Sequence, residues 1–289
     1  MAVMNYETPG LTKIDFEDSL FVTTELNKNE NAEVKGYIES RGGIIKNSVT
    51  NTTNYLIYKD GEEETTKYKK ALELVNEKGL EINILPLSLL MILRKGIGTI
   101  EFGSYPYEAD GTKKPIKWII LKKEKNKALL LSAFGIDAKP YNEEYEDVTW
   151  ETCTLRKWLN EDFLDAAFTE EEKKRICLTK VKNPDNPWYK TPGGNDTEDR
   201  VFLLSIDEVR ELLPTDVQRI TAPTPYAKKQ GTYVSREGNC WWWLRSLGCS
   251  ADYAAYVYRE GGGYVSEIGN NVLRSDNAVC PALWIDLES

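Results

Sequence analysis

No histidine occurs anywhere in the 289 residues. That absence alone excludes Ser-His-Asp and Cys-His catalytic sites and every His-ligated metal centre. Lysine disappears after Lys229, and methionine is scarce throughout, with three in all. No apolar run is long enough to cross a bilayer, since the longest, Ile82 to Leu93, contains Pro86 and Ser88. Met1 to Leu11 has neither a basic n-region nor an apolar h-region, so no secretory signal is expected. The cysteines, Cys153, Cys177, Cys240, Cys249 and Cys280, are odd in number and show no CxxC spacing. Neither a disulfide framework nor a zinc knuckle is indicated. Reduced, mostly buried thiols in a cytoplasmic chain are the expectation.

What is present points to folded, acidic, two-domain protein. Forty-six Asp and Glu against 37 Lys and Arg leave a net charge of −9, which argues against nucleic acid as the main partner. With 41% hydrophobic and 29% charged residues the chain can bury a core. Its length exceeds the usual single domain.

The first third alternates short β-branched runs with helical patterns. Phe21-Val22-Thr23, Ile44-Ile45, Tyr55 to Tyr58 and Ile82-Asn83-Ile84 read as strands. Asn31 is expected to cap a helix with Val34, Tyr37 and Ile38 inward, stopped by Gly42-Gly43. A second helix runs from about Thr66 to Gly79, and Pro86 opens a third, Leu87 to Leu93. Such alternation implies a small parallel sheet covered by helices. Lys95 to Gly98 reads as a linker.

From Ile100 to Ser132 the pattern is strand-like, broken at Asp110-Gly111, with Trp118 to Leu121 pairing Ala128 to Leu131. Three helices follow: one with Leu155, Trp158, Leu159 and Phe163 on a face, and two opened by the capping boxes Thr169 to Glu172 and Ser205 to Glu208. Pro214 ends the last, and Asn183 to Asn195 is a loop. Cys240 to Trp284 is dense in Gly, Asn, Ser and Tyr without helical period, which suggests short strands and long, well-packed loops. The fold class is therefore an α/β domain followed by an α+β domain with much irregular loop.

Phe21-Val22-Thr23, Glu39 to Gly43, Val49 to Ile57 and Thr66 to Ala71 together resemble a BRCT domain. The resemblance implies a tail at 1–15, a BRCT-like domain at 16–96 and a role in protein association, often through a phosphoserine or phosphothreonine. In that family a Ser or Thr ending the first strand and a Lys opening the second helix hold the phosphate. Thr23 and Lys67 fall at those positions, with Thr24 replacing the usual Gly. The Trp that many such domains carry is absent near Leu89 to Leu93.

Phe102 to Pro106, Leu155 to Asn160, Val201 to Ser205, Thr224 to Ala227, Trp242 to Ser246 and Pro281 to Trp284 form a second set. It resembles a bacterial domain family related to C-type-lectin-like folds, which includes variable proteins of diversity-generating retroelements. The resemblance implies a ligand-binding domain at 97–289 whose opening and closing strands pair, Ile100 to Phe102 beside Leu283 to Ile285. It also implies a C-terminal cassette of exchangeable residues on a Gly, Ala and Val scaffold. By this likeness the exchangeable surface comprises Asp252, Tyr253, Tyr256, Tyr258, Arg259, Tyr264, Ser266, Asn270, Leu273, Arg274, Ser275, Asp276 and Asn277. Glu260 and Glu267 belong to it as well, though neither can arise from an AAY codon.

The residues themselves support a recognition surface. Tyr supplies contact area with few rotamers to freeze, Ser and Asn supply hydrogen bonds, and Lys, depleted from interface cores, is missing. Trp241, Trp242, Trp243 and Trp284 are expected to pack inside, while the Tyr residues share one exposed face. The expected partner there is a protein or other macromolecular ligand, and at the first domain a phosphoprotein; no cofactor or metal is indicated. Two other classes stay open. A formylglycine-generating-type oxidase would use Cys240 or Cys249, and a phospho-dependent adaptor would work mainly through Lys67. Acidic clusters such as Glu143 to Asp147 lack the alternation of a calcium loop and read as solvated. No phosphate-cradling GxxxxGK[ST] or GxGxxG is present.

Overall fold

The computed structural model describes residues 14–59, 62–87, 90–91, 98–236, 238–258 and 263–288. The chain divides into two compact units, Met1–Thr99 and Ile100–Ser289. The expected linker at Lys95 to Gly98 lies mostly outside the described residues, as does most of the helix expected at Leu87 to Leu93.

The first unit is a four-stranded parallel sheet in the order β2-β1-β3-β4, with β1 (Leu20–Thr24), β2 (Ile44–Lys46), β3 (Tyr55–Tyr58) and β4 (Asn83–Pro86). Successive strand residues point to opposite faces, so Phe21 and Ile57 enter one core while Val22 and Leu56 enter another. Helix α1 (Lys28–Glu39) closes the first face with Val34 and Ile38; α2 (Thr66–Lys78) closes the second with Ala71 and Leu74. Both faces being covered explains why β3 reads as an unbroken apolar run. The core reaches back to buried Ile14, so the expected tail is shorter than 15 residues. Asn31 is not the cap of α1. Asn27 is: its Oδ1 accepts the Glu30 N–H at 2.9 Å while Glu30 Oε2 accepts the Asn27 N–H at 2.8 Å. The reciprocal pair starts the helix a turn earlier. Gly42 has φ +85°, and a Cβ on Gly43 would lie 2.5 Å from Ile38 Cγ2 and 2.9 Å from the Phe21 ring. Only glycine passes there.

The second unit is richer in strand than its sequence suggests. One sheet has the order β15-β7-β6-β5, with β5 (Thr99–Pro106), β6 (Lys113–Glu124), β7 (Lys127–Ser132) and β15 (Ala282–Asp286). The other has the order β13-β12-β11-β14-β8, with β8 (Asp137–Ala138), β11 (Trp242–Leu247), β12 (Tyr253–Tyr258), β13 (Tyr264–Asn271) and β14 (Ala278–Val279). A ribbon of β9 (Thr179–Val181) and β10 (Thr197–Asp199) completes the strands. The glycine- and tyrosine-rich segment thus forms an antiparallel β11-β12-β13 meander with a register shift in each pairing, not mostly loop. The opening and closing strands do not pair: β15 lies on β7, in the register Leu283↔Leu130, and β5 is at the far edge. Leu129 to Leu131 offers the apolar partner that was expected from Ile100 to Phe102.

Short helices flank the sheets. Helix α3 (Thr154–Trp158) runs through a π turn (Leu159–Phe163) into α4 (Leu164–Ala167), burying Leu155, Leu159 and Phe163. Both capping boxes form, at Thr169–Glu172 for α5 (Glu170–Arg175) and Ser205–Glu208 for α6 (Ile206–Leu212). The remaining helices are α7 (Asp216–Arg219) and α8 (Pro225–Lys229), the latter with proline at its first position.

Two polar pins hold the unit together. Buried Arg245 of β11 donates to Leu203 O at 2.7 Å and Lys182 O at 2.8 Å, and its other contacts include a two-pronged pair with Glu208. Asp199, its side chain fully enclosed, accepts from Trp150 Nε1 at 2.9 Å, Arg156 Nε at 2.7 Å and Thr197 Oγ1 at 2.7 Å. Both positions join segments far apart in sequence.

Candidate functional site

In the first unit the end of β1 and the start of α2 enclose a cleft of about 340 Å³, lined among others by Thr23, Thr24, Glu25, Asn31, Thr66 and Lys67. Thr65 caps α2, its Oγ1 accepting the Tyr68 N–H at 3.2 Å, and leaves the positive end of a 13-residue helix facing this cleft. Lys67 Nζ donates to Thr23 O at 2.9 Å, so the two residues expected to grip a phosphate do stand together. Among the described residues Lys67 has no carboxylate partner. The Thr23 hydroxyl donates to Asn31 Oδ1 at 2.9 Å. Thr24 is buried, its hydroxyl 3.4 Å from Thr65 Oγ1. A hydroxyl, an ammonium and a helix N-terminus converging on a polar cleft suit an anion.

In the second unit the β11-β12-β13 meander builds an aromatic row. Trp243 lies opposite Tyr256, Tyr256 opposite Ser266, and Tyr258 opposite Tyr264, and directly opposed residues share a face. Ring contacts run Tyr233–Trp241 at 4.1 Å, Trp241–Tyr256 at 5.9 Å, Tyr256–Tyr258 at 5.5 Å and Tyr258–Tyr264 at 6.3 Å. Fully buried Trp243 supports Tyr256 from β11, 6.2 Å between centroids, with its Nε1 donating to Lys139 O. Tyr233, Trp241 and Tyr256 are half-buried; Tyr258 and Tyr264 are 39% and 38% exposed. Burial pushes the Tyr256 phenol above its ordinary range, with Tyr258 adding to the rise, and Arg274 and Asp276 act on it electrostatically. Those two are themselves paired, Arg274 Nε donating to Asp276 Oδ1 at 2.9 Å. The row thus combines rings anchored by their neighbours, polar phenol tips and an ion pair alongside.

The fifteen candidate surface residues do not all belong to this face. Tyr256, Tyr258, Tyr264, Arg274 and Asp276 do. Asn277 is 0% exposed and Ser266 is buried with its Oγ accepting the Gly269 N–H, which corrects their expected exposure. Glu267 is drawn into an ion pair with Arg210 of α6, and Asp252 is held by Tyr145 and Ser250. Tyr253 begins β12 before the register shift between Ala254 and Tyr256, and is half-buried. Asn270 caps locally onto the Asn271 N–H, while Leu273 and Ser275 are exposed in the following turn. Arg259 and Glu260 lie outside the described residues. Ser266, two residues after Tyr264 and opposite Tyr256, keeps to the face of those tyrosines by period-two alternation, and its burial there has no signal in the sequence.

Two contributors were missed. Tyr233 and Trp241 join the row although the first lies outside the glycine-rich segment and the second was expected inside. Elsewhere, Trp188 and Tyr189 stand 70% and 49% exposed on the Asn183 to Asn195 loop. Buried Asn186 fixes that loop, its Nδ2 donating to Leu247 O and Glu267 O and its Oδ1 accepting the N–H groups of Trp188 and Tyr189.

All five cysteines are free. Burial pushes the Cys153 thiol up to about 12, which keeps it protonated. Cys240 is buried with Sγ 3.5 Å from Thr221 O, and Cys249 is half-buried, 4.0 Å from Ser250 Oγ. Among the described residues no group of three or more Cys, Asp or Glu could hold a metal ion, and no helix is long and apolar enough to cross a membrane.

Asp137 is a buried carboxyl whose partners are the Tyr105 hydroxyl at 2.7 Å and the Ala138 N–H at 2.8 Å. Burial raises its pKa against the lowering effect of these bonds. A carboxyl raised on folding adds stability below its unfolded pKa, about 3.9, and loses it as pH rises through the folded value. Asp137→Asn lacks that loss. The difference in thermal midpoint should therefore move towards the variant as pH climbs from about 4 to neutrality; a difference flat across that window would contradict it.

These two surfaces and their scaffolds define a chain that joins a small parallel α/β module to a larger β-rich one. Residues 12–75 match the BRCA1 C Terminus (BRCT) domain, and the first unit, a parallel sheet with helices on both faces, is a BRCT domain. Residues 125–287, more than half of the chain, match the family described as Domain of unknown function (DUF6273), and the chain belongs to that family. A DNA ligase of Acanthamoeba polyphaga mimivirus is 46% identical over 44 residues, 15% of this chain. The match spans 7% of the ligase. No solved structure matches the chain.

Proposed function

We propose that this is a non-catalytic, two-module binding protein. The BRCT domain docks onto a phosphorylated segment of a protein partner through the cleft at Thr23 and Lys67. The second unit presents its aromatic row to a further protein or other macromolecular ligand. The observation that carries the reading is the unbroken succession of ring contacts from Tyr233 to Tyr264, half-buried at one end and open to solvent at the other. Rings held by neighbours lose little freedom on binding, which is what an interface anchor requires. The resemblance to variable lectin-like proteins enters only in part: a face built to exchange residues is narrowed to Tyr256, Tyr258, Tyr264, Arg274 and Asp276, on a scaffold whose first and last strands are apart.

Panning the full chain against a phosphopeptide library and an unmodified peptide library tests both modules. Lys67→Ala should weaken phosphopeptides at least tenfold, about 1.4 kcal/mol, and leave unmodified ligands alone. Tyr258→Ala with Tyr264→Ala should do the reverse. Both side chains are exposed, so the fold should survive their loss. If the tyrosine pair leaves every enriched ligand at wild-type affinity, the aromatic row is not the binding face.

A further inference from the structure

Among the described residues, four buried hydrogen-bonding atoms of the second unit have no hydrogen-bond partner and lie on stretches that are bonded to one another. They are Thr232 Oγ1, Trp241 Nε1, and both Nδ2 and Oδ1 of Asn277. The backbone ties the stretches together: the Tyr233 N–H donates to Asp276 O at 2.8 Å, and the Ala278 N–H donates to Trp241 O at 2.7 Å. The two neighbours of Asn277 thus hold the segments that bring in the other orphan atoms. Asn277 is itself buried and followed by fully buried Ala278 and Val279, so its amide is enclosed with no partner among the described residues. An apolar side chain of the same shape would be neutral or stabilising there, because an unpaired buried amide carries its whole desolvation penalty. Asparagine at this position works against stability.

We propose that these atoms form a receptor for an uncharged primary carboxamide, the side-chain amide of an asparagine or glutamine on a ligand. None of the four is charged, and Arg274 and Asp276, next along the chain from Asn277, are paired with each other. A carboxylate or ammonium would be buried there without a counter-ion. The indole N–H and the asparagine NH₂ donate, the asparagine oxygen accepts, and the threonine hydroxyl does either. A planar amide, with its own acceptor and donors, meets both senses at once. Tyr233, stacked on Trp241 at 4.1 Å, links these atoms to the aromatic row. The receptor rests on the reading of that row only for where the remainder of the ligand lies.

Saturation-transfer NMR on the full chain tests it with propionamide, compared with propionate and 1-propanol. Transfer to propionamide is expected in the wild type, at least tenfold above that to either comparison compound. Asn277→Leu should abolish it while its thermal midpoint equals or exceeds the wild-type value. Trp241→Phe, which removes the indole N–H and keeps a ring, should also abolish it if Asn277→Leu does not fold. Equal transfer to all three compounds, transfer that survives both variants, or a crystal soaked in propionamide that shows only bridging waters at these atoms would overturn the proposal. The Tyr258→Ala, Tyr264→Ala pair should keep the propionamide signal. Failure of the amide receptor and failure of the aromatic row therefore give different results.

Discussion

Arg245→Ala should destabilise the second unit by about 3–5 kcal/mol, the largest single-residue effect expected in this chain. The guanidinium is buried on the central strand β11 and donates to backbone carbonyls at Lys182 and Leu203 as well as to Glu208. Truncation leaves those carbonyls without donors and the Glu208 carboxylate without its cation, and opens a cavity in the sheet. Arg245→Lys should recover little, since one ammonium cannot reproduce a fork that serves three segments at once. Urea unfolding, with the midpoint read by tryptophan fluorescence, measures the difference. A loss below about 1 kcal/mol would mean that the carbonyls find water and that the pin is dispensable.

Asp199→Ala should follow closely, again at about 3–5 kcal/mol, because it strands Trp150 Nε1, Thr197 Oγ1 and the Arg156 guanidinium together. Asp199→Asn should lose less, as its amide oxygen can still accept from Trp150 Nε1 and Thr197 Oγ1, which share one carboxylate oxygen. The order Ala below Asn below wild type, measured in the same urea series, is the expected result. Equal losses for the two variants would point to the carboxylate charge alone rather than to the number of acceptors. Both pins lie away from the rings of Tyr258 and Tyr264, so ligand binding measured on the folded fraction should be retained.

Much of the first unit was legible in the sequence. Tyr55 to Tyr58 is apolar on both faces because helices cover both, and Gly42-Gly43 and Gly79 end their helices for local steric reasons. Capping at Thr169 and Ser205 was similarly readable, since each bond closes within three residues. The start of α1 was misjudged because Asn27 and Asn31 are both competent caps, and only the Glu30 side chain returning to the Asn27 N–H chooses between them. In the second unit composition marked the tyrosine-rich segment but not its geometry. Tyr256, Tyr258 and Tyr264 became one face through the register of β12 on β13, whereas Ser266 is buried within that face, Asn277 is buried and Glu267 is paired off.

By itself the sequence determined the division into an α/β unit and a second unit of different pattern, and the exclusion of any chemistry that needs imidazole; the placement of Lys67 beside Thr23 came from the resemblance to BRCT domains. The first two follow from periodicity and from which side chains exist at all. The tertiary structure alone decided that β15 lies on β7 rather than β5, that Tyr233 and Trp241 extend the aromatic row, and that Asn277 is buried with no partner for its amide among the described residues. Such outcomes depend on which strands meet and in what register, and that is set by many apolar contacts acting together over the whole sheet, not by any short stretch of chain.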